Sequence, residues 1–177
     1  MLPKLNKKTK TAEFTSKFFP QHILVLSCGA NFIPMGYWTV VSKEPFRFLI
    51  CMQVGNHSLK LLREHKEAGL HFFPWEERDW IDAAGHLSGE TTNKAEVLGR
   101  TLVPAEKLKH TKLLKGADVV FETVLSEELE GLSGTFALFV MDVLHVHGNK
   151  PPQKRKPIFY QSVKDFATVG ETWKSSR

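Results

Sequence analysis

Short apolar runs, separated by polar or glycine-containing breaks, dominate the sequence, and they are rich in β-branched and aromatic residues. Such runs favour strands, because a helix needs roughly 10 residues or more with a 3.6-residue period. The predicted strands span residues 23–28, 32–41, 46–54, 70–73, 118–125, 135–147 and 158–162. We expect the first two to form a hairpin, and we expect the acidic segment 127–130 to be the turn between the two long strands.

Two segments have helical periodicity. Residues 56–69 carry leucines at helical spacing between charged side chains, and a second helix is predicted at 76–84. The Gly-, Ser- and Thr-rich segment 85–93 follows and is a candidate ligand loop. Many short strands with only two helices predict a mainly β fold, a closed or half-open antiparallel barrel, in a single domain.

Composition and charge narrow the class of protein. The chain has 177 residues, of which 42% are hydrophobic and 24% charged, as in an ordinary globular domain. The net charge is +5, and the excess comes partly from clusters of basic residues in an N-terminal extension, 1–12, and in 150–156. We interpret these clusters as solvated tails and loops, and we predict no nucleic-acid partner. The domain core is expected at about 19–170.

Hydropathy predicts no membrane partner. No stretch approaches the roughly 20 apolar residues that span a bilayer, and the lysine-rich N-terminus lacks the apolar segment of a signal peptide. We therefore expect a cytoplasmic protein. Cys28 and Cys51 lie in apolar runs without a basic neighbour that would lower a thiol pKa, so neither is expected to be a nucleophile.

The junction VGNHS at 54–58 ends a predicted strand and opens a predicted helix. Free N–H groups and the positive end of the helix dipole converge at such a point, so an anion such as phosphate is stabilised there. Asn56 and Ser58 could add amide and hydroxyl donors, but both residue types are also common helix caps. The sequence leaves both roles open.

His145 and His147 are two residues apart in a predicted strand. Their side chains therefore point to the same face and could share a metal ion. No third ligand is evident near them in the sequence, and histidines at a barrel edge are the alternative. We accordingly predict no metal site.

Further motifs occur in a consistent order along the chain. They are FPQHILVL at 19–26, Asn31 followed by Tyr37-Trp38, SKEP at 42–45, NHS at 56–58, LHFFP at 70–74, SGETTNK at 88–94 and PIFY at 157–160. Together they resemble the flavin reductase-like, FMN-binding split-barrel family, over most of the chain. The resemblance implies an antiparallel, Greek-key-like split β-barrel with two or more short helices, and FMN as the cofactor.

The resemblance also implies where FMN binds. The stretch 35–41 would lie along the flavin ring, 56–58 would hold the phosphate, and Lys94 would place a positive charge beside the phosphate or the flavin edge. Taken alone, Trp38 also fits a core position and Lys94 a surface loop. The implied cofactor-binding residues are Tyr37, Trp38, Thr39, Val40, Gln53, Asn56, His57, Ser58 and Lys94.

As to activity, the resemblance implies an FMN-dependent oxidoreductase that works as a homodimer. It would either reduce flavin with NADH or NADPH or, like flavoredoxin-like proteins, pass electrons to a redox protein partner. A non-catalytic flavin-binding member of the family is the alternative. Three stretches depart from the family pattern: Glu44 replaces a proline, Gln53 and Asn56 replace a basic residue and a threonine, and GTF at 134–136 replaces a Gly-Asp-His-like stretch, so that Phe136 stands in place of a histidine.

Overall fold

The computed structural model of the protein describes residues 20–130, 134–148, 155–162 and 165–170. The predicted N-terminal extension, 1–12, lies outside the described residues. The strands are β1 (Gln21–His22), β2 (Leu24–Cys28), β3 (Asn31–Met35), β4 (Trp38–Lys43), β5 (Phe46–Gln53), β6 (Glu67–Phe72), β7 (Leu102–Pro104), β8 (Lys112–Leu114), β9 (Val119–Leu129), β10 (Phe136–Gly148), β11 (Phe159–Ser162) and β12 (Asp165–Ala167). The helices are α1 (His57–His65), α2 (Arg78–His86) and α3 (Lys94–Val97), with a 3₁₀ turn at Trp75–Glu77.

Seven strands form one antiparallel sheet in the order β3-β2-β6-β9-β10-β5-β4. Its two edge strands, β3 and β4, are consecutive in the chain and are joined only by Gly36 and Tyr37. Three peptide steps reach about 11 Å, whereas the edges of a flat seven-stranded sheet would lie roughly 29 Å apart. The sheet must therefore curl until its edges approach each other. A three-stranded sheet, β1-β11-β12, and the β7-β8 hairpin complete the fold.

Strand β2 is buried along its whole length and separates two apolar clusters. Leu24 and Leu26 face the interior of the curled sheet, where Phe139 is among the buried partners. Val25 points to the other side and packs in the cluster that contains Ile81 of α2. The alternation follows from the two-residue period of a strand, so the sheet is covered on both faces at this point. Among the described residues, no helix is long and apolar enough to cross a membrane.

The predicted fold class is confirmed: the protein is mainly β, with a curled antiparallel sheet and three short helices. The predicted first hairpin is confirmed as β2-β3, with Leu24 opposite Met35. The single strand predicted at 32–41 is wrong, because the chain leaves β3 at Gly36 and starts β4 on the opposite edge of the sheet. The apolar pattern runs through this break because both strands contact the same interior.

Three other expectations need correction. The segment 127–130 is not simply a turn, because residues up to Leu129 continue β9 and pair with β10. Helix α1 ends at His65, where Lys66 adopts a left-handed φ of 57° and caps it. Strand β6 then begins at Glu67, which no apolar pattern marks because it is a buried carboxylate. The β7-β8 hairpin and α3 are too short for periodicity to predict.

Two buried glutamates hold the loop between β7 and β8 against the sheet. Glu122 accepts hydrogen bonds from the backbone N–H groups of residues 106–108, and Glu67 accepts from those of residues 109–111. The two carboxylates lie on adjacent strands, since Glu122 pairs with Gly69. Burial by itself would raise the pKa of Glu67, but its backbone donors outweigh burial and hold the pKa below its usual value.

Replacing Glu67 by Gln should lower the free energy of unfolding at pH 7 by about 2 kcal/mol, because hydrogen bonds to a charged acceptor are lost or weakened. The pKa is lower in the folded state, so this contribution is present above the unfolded pKa of about 4.3 and fades as the pH falls through the folded value. Urea unfolding between pH 3 and pH 7 measures both effects. Glu64→Gln, at an exposed position on α1, is the control, and parallel pH profiles for wild type and Glu67→Gln would contradict the assignment.

Candidate functional site

A large, mostly apolar cavity of about 670 Å³ lies at the seam where the sheet closes. One wall is formed by residues 33–37, which include the end of β3 and the two-residue link to β4. Residues 51–53 at the end of β5 and Phe136 at the start of β10 also line it. Ile81 of α2 lines it as well, with Tyr160 and Phe166 from the small sheet. The same chain path that curls the sheet thus creates this cavity.

A smaller polar cavity of about 310 Å³ adjoins the first. Ile33, Asn56, Gly85 and His86 line both, so the two volumes form one continuous cleft. The polar cavity is bounded by residues 55–58 at the start of α1 and by residues 87–90, which belong to the predicted ligand loop. The cleft therefore has an apolar end and a polar end.

The start of α1 is organised by hydrogen bonds within the chain. Gly55 has a φ of 89°, which only glycine adopts readily, and it turns the chain from β5 into the helix. Asn56 is the N-cap, because its Oδ1 accepts from the Ser58 N–H at 2.9 Å. The Ser58 Oγ in turn accepts from Asn31 Nδ2 at 2.8 Å. The capping role of Asn56, left open by the sequence, is thus confirmed.

Lys94 contributes the most unusual group of the polar cavity. It is the first residue of α3 and is 4% exposed, so it does not arrive on an exposed loop as the sequence suggested. Its Nζ donates to the carbonyl oxygens of Phe32 and Ala84, each at 2.9 Å. Burial lowers the pKa of Lys94, and no carboxylate pairs with it among the described residues. An anion close to this buried ammonium group would stabilise its positive charge.

Besides Lys94, two polar atoms at this cavity are notable because no described residue forms a hydrogen bond with them. Asn31 Oδ1 and His57 Nδ1 are buried and make no hydrogen bond in the described part of the chain. Gly89 lies so close to Asn31 that a Cβ atom there would come within 2.0 Å of Asn31 Oδ1. The absence of a side chain at Gly89 therefore lets residues 87–90 lie against Asn31. Buried polar atoms without partners are uncommon and indicate where a ligand or water can bind.

The structure brings together six of the nine residues proposed to bind the cofactor. Tyr37, Gln53 and Asn56 line the apolar cavity, and Asn56 also lines the polar one, with His57, Ser58 and Lys94.

The other three lie outside both cavities. Trp38 packs against Phe72 with ring centroids 5.1 Å apart and donates its indole N–H to the His22 carbonyl at 2.6 Å. Thr39 and Val40 are exposed on the edge strand β4. A role for these three in cofactor binding stays a prediction.

Ile81 of α2 and Phe166 of β12 line the cleft but were not predicted as site residues. No local motif marks them, because they reach the cleft only through tertiary packing. Gly85 and His86 also line it and fall in the predicted ligand loop 85–93, although they lie at the end of α2. Tyr160 of β11 belongs to the PIFY motif, to which no site role was assigned. The acidic turn before α2 is structural: Glu77 accepts from the Trp80 indole and pairs with Arg100.

A curled antiparallel sheet with such a cleft at its seam defines a barrel whose cleft has one apolar and one polar end. The flavin reductase like domain matches the sequence over residues 16–168. The chain therefore belongs to the flavin reductase-like family.

Solved structures with the same fold agree with this assignment. The FMN-binding protein from Thermus thermophilus with bound p-hydroxybenzaldehyde superposes with a TM-score of 0.84 at 19% identity, covering 98% of this chain and 100% of that chain. Flavoredoxin from Methanosarcina acetivorans gives 0.81 at 17% identity, covering 99% and 95%. Nitrilotriacetate monooxygenase component B from Bacillus cereus gives 0.82 at 17% identity, covering 99% of each chain. No curated protein sequence matches the chain. Family membership supports a flavin-related function.

Proposed function

We propose that this protein binds FMN in the cleft, with the flavin ring in the apolar cavity and the phosphate in the polar one. The observation that carries the proposal is the junction between a large apolar cavity and a polar cavity containing Lys94, a buried cation that no carboxylate of the described residues pairs with. FMN has a flat ring at one end and a single phosphate at the other. The two ends of the cleft match these two chemistries.

The apolar cavity suits a planar heterocycle. Met35 and Tyr37 on one side and Phe136 on another offer apolar and aromatic surface, while the exposed backbone of the link 36–37 can present polar groups to a ring edge. The Tyr37 carbonyl already accepts from the Cys51 N–H at 2.9 Å, which fixes the link against β5. Bound FMN would supply the electron- or hydride-transfer chemistry, and the chain would supply position and electrostatic surroundings.

The polar cavity suits the sugar-like chain and the phosphate. Asn31 Oδ1 can accept a hydrogen bond from a ligand hydroxyl, and His57 Nδ1 can donate or accept according to its tautomer. The helix dipole of α1 and the Lys94 ammonium both favour negative charge nearby. These groups would hold the phosphate even though Gln53 stands where the family pattern has a basic residue.

Similar solved structures support a flavin cofactor but differ in activity. One is an FMN-binding protein, another is a flavoredoxin, and a third is a monooxygenase component. We favour electron transfer to a redox protein partner over rapid NADH or NADPH oxidation. Phe136 packs edge-to-face on Tyr37, with centroids 5.4 Å apart, and brings an apolar ring to the cavity where a polar contact to a nicotinamide would be needed.

We further propose that the protein works as a homodimer through the outer face of β10 and β5. On β10, Phe139 and Met141 are fully buried towards the interior, whereas Leu138 and Val140 point outward and are only half-buried. They pair with Cys51 and Leu49, so four apolar side chains form one outer patch. A second copy covering this patch would bury apolar surface that one chain leaves exposed.

Replacing Ser88 by Asp tests where the phosphate binds. Ser88 is exposed and lines the polar cavity, and its Oγ accepts from the Glu90 N–H, which a carboxylate can also do. FMN affinity should fall by about tenfold or more, because like charges a few Å apart repel by at least roughly 1.4 kcal/mol in partly exposed surroundings. Riboflavin affinity should stay unchanged.

Fluorescence titration with both flavins measures these affinities, and Ser88→Asn is the neutral control of similar size. Equal losses of FMN and riboflavin affinity in Ser88→Asp would remove the phosphate assignment. Failure of the wild-type protein to bind either flavin would overturn the proposed function.

Replacing Phe136 by His tests the preferred activity. Hydride transfer needs the donor ring held against the flavin, and a misplacement of about 1 Å can slow it on the order of a hundredfold. The wild-type protein should therefore oxidise NADH and NADPH slowly, and Phe136→His should be faster by about tenfold, whereas Phe136→Leu should remain slow. Chemical reduction of bound FMN should be equally complete in all three. Rapid oxidation by the wild-type protein, unaffected by Phe136→His, would favour a dedicated reductase instead.

Replacing Val140 by Lys tests the dimer. The new ammonium can pair with Glu127, which lies opposite on β9, so the subunit should still fold. Sedimentation equilibrium should give twice the 20.1 kDa chain mass for the wild-type protein and the single-chain mass for the variant. Val97→Lys, at an exposed position on α3, is the control and should stay dimeric. A wild-type protein that sediments at 20.1 kDa would contradict the dimer.

A further inference from the structure

A cluster of two histidines and two glutamates lies at the far end of the β9-β10 hairpin, apart from the proposed flavin site. Strand β10 pairs with β5 as far as Asp142, and beyond that residue its partner strand within the described part of the chain is β9. His145 and His147 lie in this extension, and Glu106 reaches them from the loop between β7 and β8. None of these residues lines either cavity.

Three potential ligand atoms converge in this cluster. Glu106 Oε2 lies 3.4 Å from His145 Nε2, and Glu106 Oε1 lies 3.7 Å from His147 Nδ1. All three side chains place a ligand atom within 4.8 Å of the others. Neighbouring ligands of a tetrahedral zinc ion, at bond lengths of about 2.0 to 2.1 Å, are roughly 3.3 Å apart. Small side-chain rotations would therefore bring the three atoms into one coordination shell.

The contact between Glu122 and His147 favours the His147 tautomer that can bind a metal ion. Its side chain is completely buried and accepts a hydrogen bond from His147 Nε2. A carboxylate on one ring nitrogen holds the proton there and leaves the other nitrogen, here Nδ1, with a free lone pair. That nitrogen is the one directed at Glu106. Carboxylate, histidine and metal ion in this order form a recurrent arrangement in zinc proteins.

The same carboxylate also positions the third ligand. Glu122 Oε1 accepts from the backbone N–H of Glu106 at 2.8 Å, and Oε2 accepts from that of Lys107 at 2.6 Å. The loop that carries Glu106 is thus bonded to the same side chain that orients His147. Such shared support reduces the reorganisation that metal binding would require.

We propose that Glu106, His145 and His147 bind a zinc-type divalent transition-metal ion, with Glu122 as a positioning residue. Two imidazoles and one carboxylate match the preferences of Zn²⁺ and its neighbours in the first transition row, whereas Mg²⁺ and Ca²⁺ prefer oxygen ligands only. Water would fill the fourth position. The ion would also offset the negative charge that Glu106 and Glu122 concentrate at this end of the hairpin.

Calorimetric titration of the full-length, chelator-treated protein with Zn²⁺ tests the proposal. We expect one ion per chain, and we expect His145→Ala and His147→Ala each to weaken binding by at least tenfold. His110→Ala removes an exposed histidine outside the cluster and should leave the affinity unchanged. Circular dichroism should show that each variant remains folded. A wild-type protein that binds no Zn²⁺, or binding that His145→Ala and His147→Ala leave intact, would overturn the site.

Glu122→Gln tests the positioning role separately. Loss of such an outer carboxylate weakens metal binding by about 10- to 100-fold. Nitrogen NMR of the metal-free protein should show His147 protonated at Nε2 in the wild type and a mixture of tautomers in Glu122→Gln. If Glu122→Gln does not fold, the tautomer of wild-type His147 decides: a proton on Nδ1 would refute the role, and a proton on Nε2 would support it.

Discussion

The two-residue link between β3 and β4 is the constraint on which the rest of the structure depends. Because Gly36 and Tyr37 join strands at opposite edges of a seven-stranded sheet, the sheet has to curl until the edges nearly meet. The hydrogen bond from the Cys51 N–H to the Tyr37 carbonyl fastens the link to β5. The incompletely closed seam leaves the apolar cavity, and the link itself forms part of its wall. The two-residue link therefore accounts for both the curl of the sheet and the position of the cleft.

A second constraint comes from the paired buried glutamates on β6 and β9. Six consecutive backbone N–H groups, residues 106–111, donate to Glu122 and Glu67, so two side chains hold a loop without regular structure against the sheet. The same loop leads into β8, whose Leu114 N–H donates to the buried His71. The loop thereby places Glu106 beside His145 and His147, although these residues are distant in the sequence.

The pattern of short apolar runs predicts the strands of this protein well, because β2 is buried along its whole length and the inner face of β10 is buried with a two-residue period. It does not reveal that 32–41 is divided, since nothing in the pattern distinguishes a strand that continues from one that changes edges at Gly36. The start of α1 was predictable from a local motif. Ile81, Tyr160 and Glu106 were not, because each acquires its role only when separate elements meet. Lys94 was found, but its burial depends on the packing of α2 and β3 around it.

The buried charges of the protein differ in how completely the chain itself stabilises them. Burial raises the pKa of Glu67 and Glu122, yet the hydrogen bonds they accept, from backbone groups and for Glu122 also from His147, outweigh it, so the net pKa is lowered and the charged form is favoured. The pKa of Lys94 is lowered too, but here burial is the cause, and a lower pKa disfavours the charged form of a lysine. The partners of its ammonium group are two carbonyl oxygens. A bound phosphate would reverse that balance, raising the pKa of Lys94 and completing its hydrogen bonds. An anionic ligand in the cleft would therefore favour the charged form of Lys94, which burial alone disfavours.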